Sequence, residues 1–331
     1  MKVIIPLAGF GKRLRPHTYS RPKPLLNVAG KAVLGHVLDK LQGLEIEEII
    51  FIVGYLGEQI QEYVTANYDF PARYVEQKEL LGQAHAIWLA REYVQGDVLI
   101  LFVDTIFEAD LAALRGLSSD GVIYCKQVDD PRRFGVVTLD GEGFITRFVE
   151  KPEEFVSNLA VIGLYYLKDG PGLLSAIDEL IARGIQTKGE YFLADALQIL
   201  VDRGQRFNAW TVEVWEDCGT PAAVLHTNRY LLEHGQGNAA QVQTVNSVII
   251  PPVHIAPTAK VENSVIGPYV TIGEGAEVRC SIVRDSIIDA GATIEDAMLD
   301  QSLVGKDAVV RDRFRRFNVG DSSAVDFSPL A

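Results

Sequence analysis

Cysteine is scarce in this chain of 331 residues: there are three, Cys125, Cys218 and Cys280, far apart and odd in number. That excludes a disulfide framework and a cysteine-rich metal site, and makes a reducing compartment the expectation. Long apolar runs are missing too. No stretch approaches the roughly 18 residues of a membrane helix. The apolar stretch after the opening lysine, Val3 to Ala8, is shorter than the core of a secretory signal. A soluble, cytoplasmic protein without a membrane partner is the expectation. Positive charge is in deficit, with 31 Lys and Arg against 44 Asp and Glu and a net charge of −13. That argues against nucleic acid as the main partner, since a phosphate backbone calls for a basic face. Nucleotides can still bind where cations are concentrated locally, and here they gather between residues 12 and 23.

What is present divides at about residue 225. Before it, apolar strands at 3–8, 48–53, 98–103, 121–127, 134–139, 144–149, 160–167 and 206–214 alternate with helical spacing at 33–44, 57–66, 83–93, 172–183 and 190–201. Strands as uniformly apolar as VLILFV belong to sheets covered on both faces, and the alternation predicts an α/β, Rossmann-like fold with a mostly parallel sheet. Ligands bind such sheets at the carboxyl ends of the strands. After residue 240, a serine followed by two aliphatics recurs from Ser247, Ser264, Ser281, Ser286 and Ser302. Ile272, Ile288 and Val304 are evenly spaced, as are Val278, Ile294 and Val310. An aliphatic about every sixth residue, followed by small residues, predicts a short parallel β-helix of about four coils. Its hexapeptides resemble those of left-handed β-helices. The expected domains are therefore 1–225, a linker helix and loop over 226–243, and a β-helix over 244–331. Open coil edges invite partners, so the β-helix reads as the element of a homo-oligomer. The arginines between 311 and 316 read as a solvated end-cap.

The chemistry begins where the first strand ends. Leu7 and Ala8 lead into Gly9-Phe10-Gly11-Lys12-Arg13-Leu14-Arg15-Pro16, and then into Arg21-Pro22-Lys23-Pro24-Leu25-Leu26. Two glycines let the backbone turn tightly and bring its N–H groups close to an anion. Arg13 offers a planar fork and Lys23 a point charge. The prolines on either side of Lys23 fix the backbone, so its side chain is aimed rather than merely solvated.

The run LAGFGKRLRPHTYSRPKPLLNVAGK resembles the signature of the sugar-nucleotidyltransferase family, the nucleotide-sugar pyrophosphorylases. The commoner form has a double glycine and one more residue in the loop; this chain has the shorter form, with Lys12 in place of the usual threonine. Glu76-Gln77 followed by Leu81-Gly82-Gln83-Ala84-His85-Ala86 resembles the family's base-binding stretch, in which a glutamine and a glycine amide read a pyrimidine. An amide carries both a donor and an acceptor, which suits the imide edge of uracil or thymine. Asp104 ends the strand VLILFV, after Val103 where the family usually has glycine. Asp217 lies in Trp215-Glu216-Asp217-Cys218-Gly219-Thr220-Pro221, similar to the family's W-x-D-x-G-T-P. The resemblance implies that Asp104 and Asp217 jointly hold a catalytic Mg²⁺, an ion content with a couple of carboxylates plus phosphate oxygens and water. For the sugar phosphate it implies Gly135 in Phe134-Gly135-Val136-Val137, Glu150-Lys151, and Asn158 with Gly163 and Tyr165 in NLAVIGLYY. Lys188-Gly189-Glu190 and Asp195 also resemble a family segment and read first as the start of a helix.

The implied reaction is nucleotidyl transfer. A sugar-1-phosphate oxygen, glucose-1-phosphate being the expected sugar, attacks the α-phosphorus of dTTP or UTP, giving an NDP-sugar and pyrophosphate. The phosphate is already an anion, so catalysis needs positioning and charge neutralisation rather than a covalent nucleophile. Arg13 is expected on the triphosphate, Lys23 at the transferring phosphorus and Lys151 on the sugar phosphate. Leu7, Ala8, Gly9, Gly11, Gln77 and Gly82 complete the nucleotide side. Two other readings stand beside this one. Some relatives carry an acyltransferase in the β-helix, for which His254 is the only histidine available as a base beyond residue 240. A non-catalytic regulatory homologue is the third, although Arg13, Lys23, Asp104, Lys151 and Asp217 are all present.

Overall fold

Val3, Ile4 and Ile5 in the strand Lys2–Pro6 are at most 1% exposed, as a strand covered on both faces requires. The computed structural model describes residues 1–187, 189–241, 243–313 and 319. The chain forms two units, Met1–Leu231 and Leu232–Ala331. In the first, Lys2–Pro6 runs parallel between Glu48–Val53 and Val98–Leu101, and Ala72–Glu76 lies parallel beyond Glu48–Val53. The helices Val33–Asp39, Gly57–Asn67 and Gln83–Trp88 lie between successive parallel strands in the chain. On the other side of Val98–Leu101 the sheet turns antiparallel. Leu159–Leu167 pairs with it and then with Gly121–Gln127 and Gly135–Leu139, and Ile145–Glu150 pairs with Gly135–Leu139. Phe207–Thr211 returns parallel to Gly121–Gln127. The nine-stranded sheet is thus mixed, with its parallel part around the first strand.

One face of this sheet is closed by the helices Gly170–Ala182 and Leu193–Asp202, whose Leu173, Ile177, Leu180, Leu193 and Leu197 join the same core as Ile4, Ile50 and Ile100. Burying each such side chain is worth about 1.5–3 kcal/mol. The first of these helices starts sharply because Asp169 Oδ1 accepts from the amide of Gly172 at 2.8 Å, with proline in its first turn.

The apolar stretch expected as one strand over 206–214 divides. Phe207–Thr211 stays in the large sheet, whereas Val214–Asp217 pairs antiparallel with Thr105–Glu108 in a separate two-stranded ribbon. The helix Pro221–Leu231 follows, with Val224, Leu225 and Leu231 buried. Its Asn228 accepts from the Ala29 amide at 2.9 Å.

The second unit contains three four-stranded parallel sheets, the arrangement of a left-handed β-helix. Ile272, Ile288 and Val304 stack on one another, as do Val278, Ile294 and Val310. Ile266, Val270, Ile272, Val278, Val283, Ile288 and Ile294 are all fully buried. The coils are unequal: Val248 pairs with Val265 and Val265 with Ile282, but Ile282 pairs with Met298, one residue sooner. The extra residue sits at the corners holding Pro251-Pro252 and Pro268-Tyr269 and is absent at Asp285-Ser286. The recurring serines form ladders. Ser264 Oγ donates to the carbonyl of Glu262 at 2.7 Å and accepts from the amide of Ser281 at 3.1 Å; Ser281 Oγ does the same toward Arg279 and Ala297. Each hydroxyl thereby satisfies a buried corner amide of the next coil. At the first coil, Asn238 covers an open edge, with Nδ2 donating to Ile255 O at 2.8 Å and Oδ1 accepting from Ile255 N at 2.9 Å. A ring nitrogen of His254, Nδ1, lies 3.2 Å from the carbonyl of Gln236. Among the described residues no helix is long and apolar enough to cross a membrane. Most of the arginine-rich stretch after Arg311 lies outside the described residues.

Candidate active site

The glycine loop folds back on the segment that follows it. Leu7 is tied to the neighbouring strand, its amide donating to Ile52 O at 2.7 Å, and Leu14, fully buried, anchors the turn Lys12–Leu14. Gly11 has φ +60°, and a Cβ there would lie 3.1 Å from Lys23 Cβ and from Thr18 Cγ2. Thr18 Oγ1 donates to the Gly11 carbonyl at 3.0 Å. Gly9 is different, for a Cβ there would meet nothing within 4 Å. The two glycines therefore separate experimentally. Gly11→Ala is expected to cost about 1–2 kcal/mol of stability through its left-handed backbone. Gly9→Ala should leave stability within about 0.5 kcal/mol of the parent while raising the nucleotide KM about tenfold, if the loop backbone holds phosphates as its sequence predicts, because the methyl group would then stand in the anion's approach. Melting curves and steady-state kinetics on the two variants check this; a Gly9→Ala enzyme with unchanged KM removes the loop from the site.

Lys23 is aimed as its flanking prolines dictate. Its side chain is only 16% exposed, and Nζ lies 3.5 Å from Asp104 Oδ2. Asp104 follows the strand Val98–Leu101 and immediately precedes the ribbon strand Thr105–Glu108, whose Thr105 is opposite Asp217. The Cys218 amide donates to the Asp104 carbonyl at 2.8 Å, so the two aspartates are neighbours through backbone pairing. Asp217 Oδ1 accepts from Gly219 N at 2.7 Å, and the Asp217 carbonyl from Thr227 Oγ1 at 2.8 Å. Burial pushes the Cys218 thiol up to about 12, so it stays protonated and offers no thiolate. Among the described residues no group of three or more His, Cys, Asp or Glu gathers as a metal cage. The donor set is two hard carboxylates in a cavity wall, which fits a divalent ion that takes its remaining ligands from phosphate and water.

On the other side, Gly135 lies opposite Glu150 across the strand pair, and a Cβ at Gly135 would fall 2.8 Å from Glu150 Oε2. Glycine there makes room for the carboxylate. Lys151 has φ +44°; its amide donates to Phe134 O at 3.0 Å, and Nζ lies 3.3 Å from Glu150 Oε1 and 5.0 Å from the Phe192 ring centroid. Tyr165 is 8% exposed, and burial, with the Glu150 carboxylate next in weight, raises its hydroxyl pKa.

Two cavities contain these groups. One of about 660 Å³ holds Gly135, Glu150, Lys151, Gly163, Tyr165 and Asp217. The other, about 430 Å³, holds Leu7, Ala8, Gly9, Gly11, Lys23, Gln77 and Gly82. Arg13, Gln83, Phe102 and Asp104 line both. Asn158 stands apart: it precedes the strand Leu159–Leu167, its carbonyl accepts from Val128 N at 2.9 Å, and it is absent from both linings. Glu190 lines the smaller cavity, the helix beyond it begins at Leu193, and Lys188 lies outside the described residues. Sequence reasoning missed several lining residues. Arg133 adjoins the FGVV segment and Trp215 opens the Asp217 motif, so both were within reach. His226, 3.3 Å from Glu216, carried no signal.

Comparison with known proteins gives the family of each part of the chain. The family described as Nucleotidyl transferase matches residues 2–234, and a second, described as GlmU-like, C-terminal hexapeptide, matches 236–323. "Bifunctional protein GlmU" of Methanocaldococcus jannaschii is 37% identical over 238 residues, 70% of this chain and 55% of that protein. The chain covers 54–62% of the length of the GlmU relatives it matches. Other relatives match end to end. "Low-salt glycan biosynthesis nucleotidyltransferase Agl11" of Haloferax volcanii is 30% identical over 98% of this chain and 99% of its own. "Glucose-1-phosphate thymidylyltransferase" of Streptomyces antibioticus is 29% identical over the same shares. Among solved structures, UDP-glucose pyrophosphorylase complexed with UDP-glucose shares the fold, with a TM-score of 0.63 and 22% identity over 70% of this chain and 98% of that one.

Proposed function

The chain belongs to the nucleotidyl transferase family, and from that premise we propose that it transfers a nucleotidyl group from dTTP or UTP to a sugar-1-phosphate, with glucose-1-phosphate as the sugar. The observation that carries the reading is the meeting of two cavities at Arg13 and Asp104, with Lys23 3.5 Å from the aspartate. A nucleoside triphosphate and a sugar phosphate brought in from the two sides place their reacting groups there. The smaller cavity takes the nucleotide, with Gln77 and Gly82 at the base and the Gly9–Gly11 backbone and Arg13 on the triphosphate. In the larger, Lys151 binds the sugar phosphate and Glu150 accepts from sugar hydroxyls. Asp104 and Asp217 are the residues that would hold Mg²⁺, which supplies neutralisation of phosphate charge when bound. Lys23 stabilises the charge that builds on the oxygens of the transferring phosphorus. Holding the attacking oxygen in line converts an encounter of two anions into an intramolecular step. Pyrophosphate release by the pure protein, measured across a panel of triphosphates and sugar phosphates, tests the reading. Release that requires both dTTP or UTP and a sugar-1-phosphate supports it, and no release with any pair sinks it.

The β-helix is proposed as the assembly element of a homo-oligomer. Light scattering that returns the 36.4 kDa of one chain would rule that out.

A further inference from the structure

If Gln77 faces the nucleobase, as proposed above, its amide has to be held one way round. Gln77 is 6% exposed, and its Nε2 lies 3.5 Å from the carbonyl oxygen of Gly82 and 3.3 Å from Nδ1 of His85. A carbonyl only accepts, so the amide atom turned toward Gly82 is the nitrogen. With that nitrogen also donating to His85, Nδ1 must carry a lone pair and the ring proton must sit on Nε2. The surroundings favour such a neutral ring. It is stacked on Trp88 with centroids 6.0 Å apart and 23° between planes, and burial lowers its pKa against the opposing field of Glu79. Both hydrogens of the Gln77 amide are thus directed at protein acceptors. Among the described residues no hydrogen bond reaches Oε1, and Gln77 lines the cavity of about 430 Å³.

We propose that His85 is a positioning residue that locks Gln77 with its oxygen toward the nucleobase, so that the site selects a base presenting a ring N–H donor. Uracil and thymine present that donor at N3. Cytosine presents a lone pair at the same position, which would face the Gln77 oxygen lone pair to lone pair, and discrimination by an unpaired polar group is the strong kind. Without the His85 acceptor, only the contact to the Gly82 carbonyl at 3.5 Å, the long limit of a hydrogen bond, holds the amide, and it can rotate to serve either base.

The test uses the full chain and steady-state kinetics at saturating glucose-1-phosphate, comparing the better of dTTP and UTP with CTP. His85→Phe keeps a flat ring against Trp88 and removes the acceptor. It should lower the preference over CTP at least tenfold, mainly through the KM of the preferred nucleotide, with kcat changed less than threefold. His85→Asn should restore the preference, because its Oδ1 is as many bonds from Cα as Nδ1 of histidine. Should His85→Phe not fold, judged by its melting curve, His85→Met removes the acceptor in a flexible side chain and carries the same expectation. Wild-type preference in a folded His85→Phe or His85→Met protein, alongside a preference lost in Gln77→Ala, overturns the positioning role and leaves the base-binding reading intact. A preference unchanged in Gln77→Ala overturns both.

Discussion

Asp104→Ala is expected to lose about three orders of magnitude in turnover, as is Lys23→Ala, with the fold retained in both. Removing one preorganised group from a site of charge development costs about 10²–10³-fold, and these two side chains stand 3.5 Å apart in the proposed site. They should part company in how they respond to divalent ion. Asp104 is a carboxylate in the wall shared by both cavities, so its loss weakens the ion's hold and shifts the Mg²⁺ dependence of the rate to higher concentration. Lys23 is a cation, and its loss lowers the rate without raising the Mg²⁺ requirement. Rates for the pure variants across a magnesium titration read both effects. Turnover near that of the wild type in either variant refutes the assignment, and the same magnesium curve for both would leave the carboxylate without its proposed role.

Gly82→Ala is expected to lose about 3 kcal/mol of stability along with nucleotide binding. Gly82 has φ +109°, and a Cβ there would stand 2.5 Å from the carbonyl oxygen of Tyr191 and 2.7 Å from its amide nitrogen. Neither side can yield cheaply. The Tyr191 amide donates to Leu81 O at 2.8 Å and its carbonyl accepts from Ala84 N at 2.9 Å, so the two segments are stitched together on either side of the glycine. A left-handed backbone carrying a side chain and a forced separation of packed backbones each cost about 1–3 kcal/mol. Relieving the clash moves the Gly82 carbonyl, to which the Gln77 amide donates, and that reaches the cavity proposed for the base directly. Chemical denaturation and nucleotide binding measured on the same preparation check this; a wild-type midpoint would show that the Tyr191 segment gives way freely.

Much of this molecule was legible before any coordinates. The buried strands at Lys2–Pro6, Glu48–Val53 and Gly121–Gln127 announce themselves by unbroken aliphatic and aromatic runs, and the even spacing of Ile272, Ile288 and Val304 is the coil stacking itself. The unequal coils were hidden, because a hexapeptide overlay assumes equal turns and the extra residue falls in corners that no core position marks. Ala72–Glu76 escaped notice for the opposite reason: none of its residues is fully buried, so its sequence ARYVE has no apolar face to show. The ribbon of Thr105–Glu108 and Val214–Asp217 was out of reach, since four-residue strands pairing across more than a hundred positions leave no local period. For that reason the adjacency of Asp104 and Asp217 could come only from family likeness, while the aim of Lys23 followed from its prolines. Likeness also suggested Asn158, which stands outside both cavities.

That ribbon has a thermodynamic side. Asp104 and Asp217 come from the two ends of a long excursion of the chain, and closing such a loop is opposed by its conformational entropy. An ion bridging the two carboxylates, as proposed, would act as a reversible staple across the excursion. Occupancy and local order there are one linked equilibrium, each strengthening the other by the same free energy. On the proposed reading, a catalytic centre assembled in this way would also be a clasp on the domain that carries it.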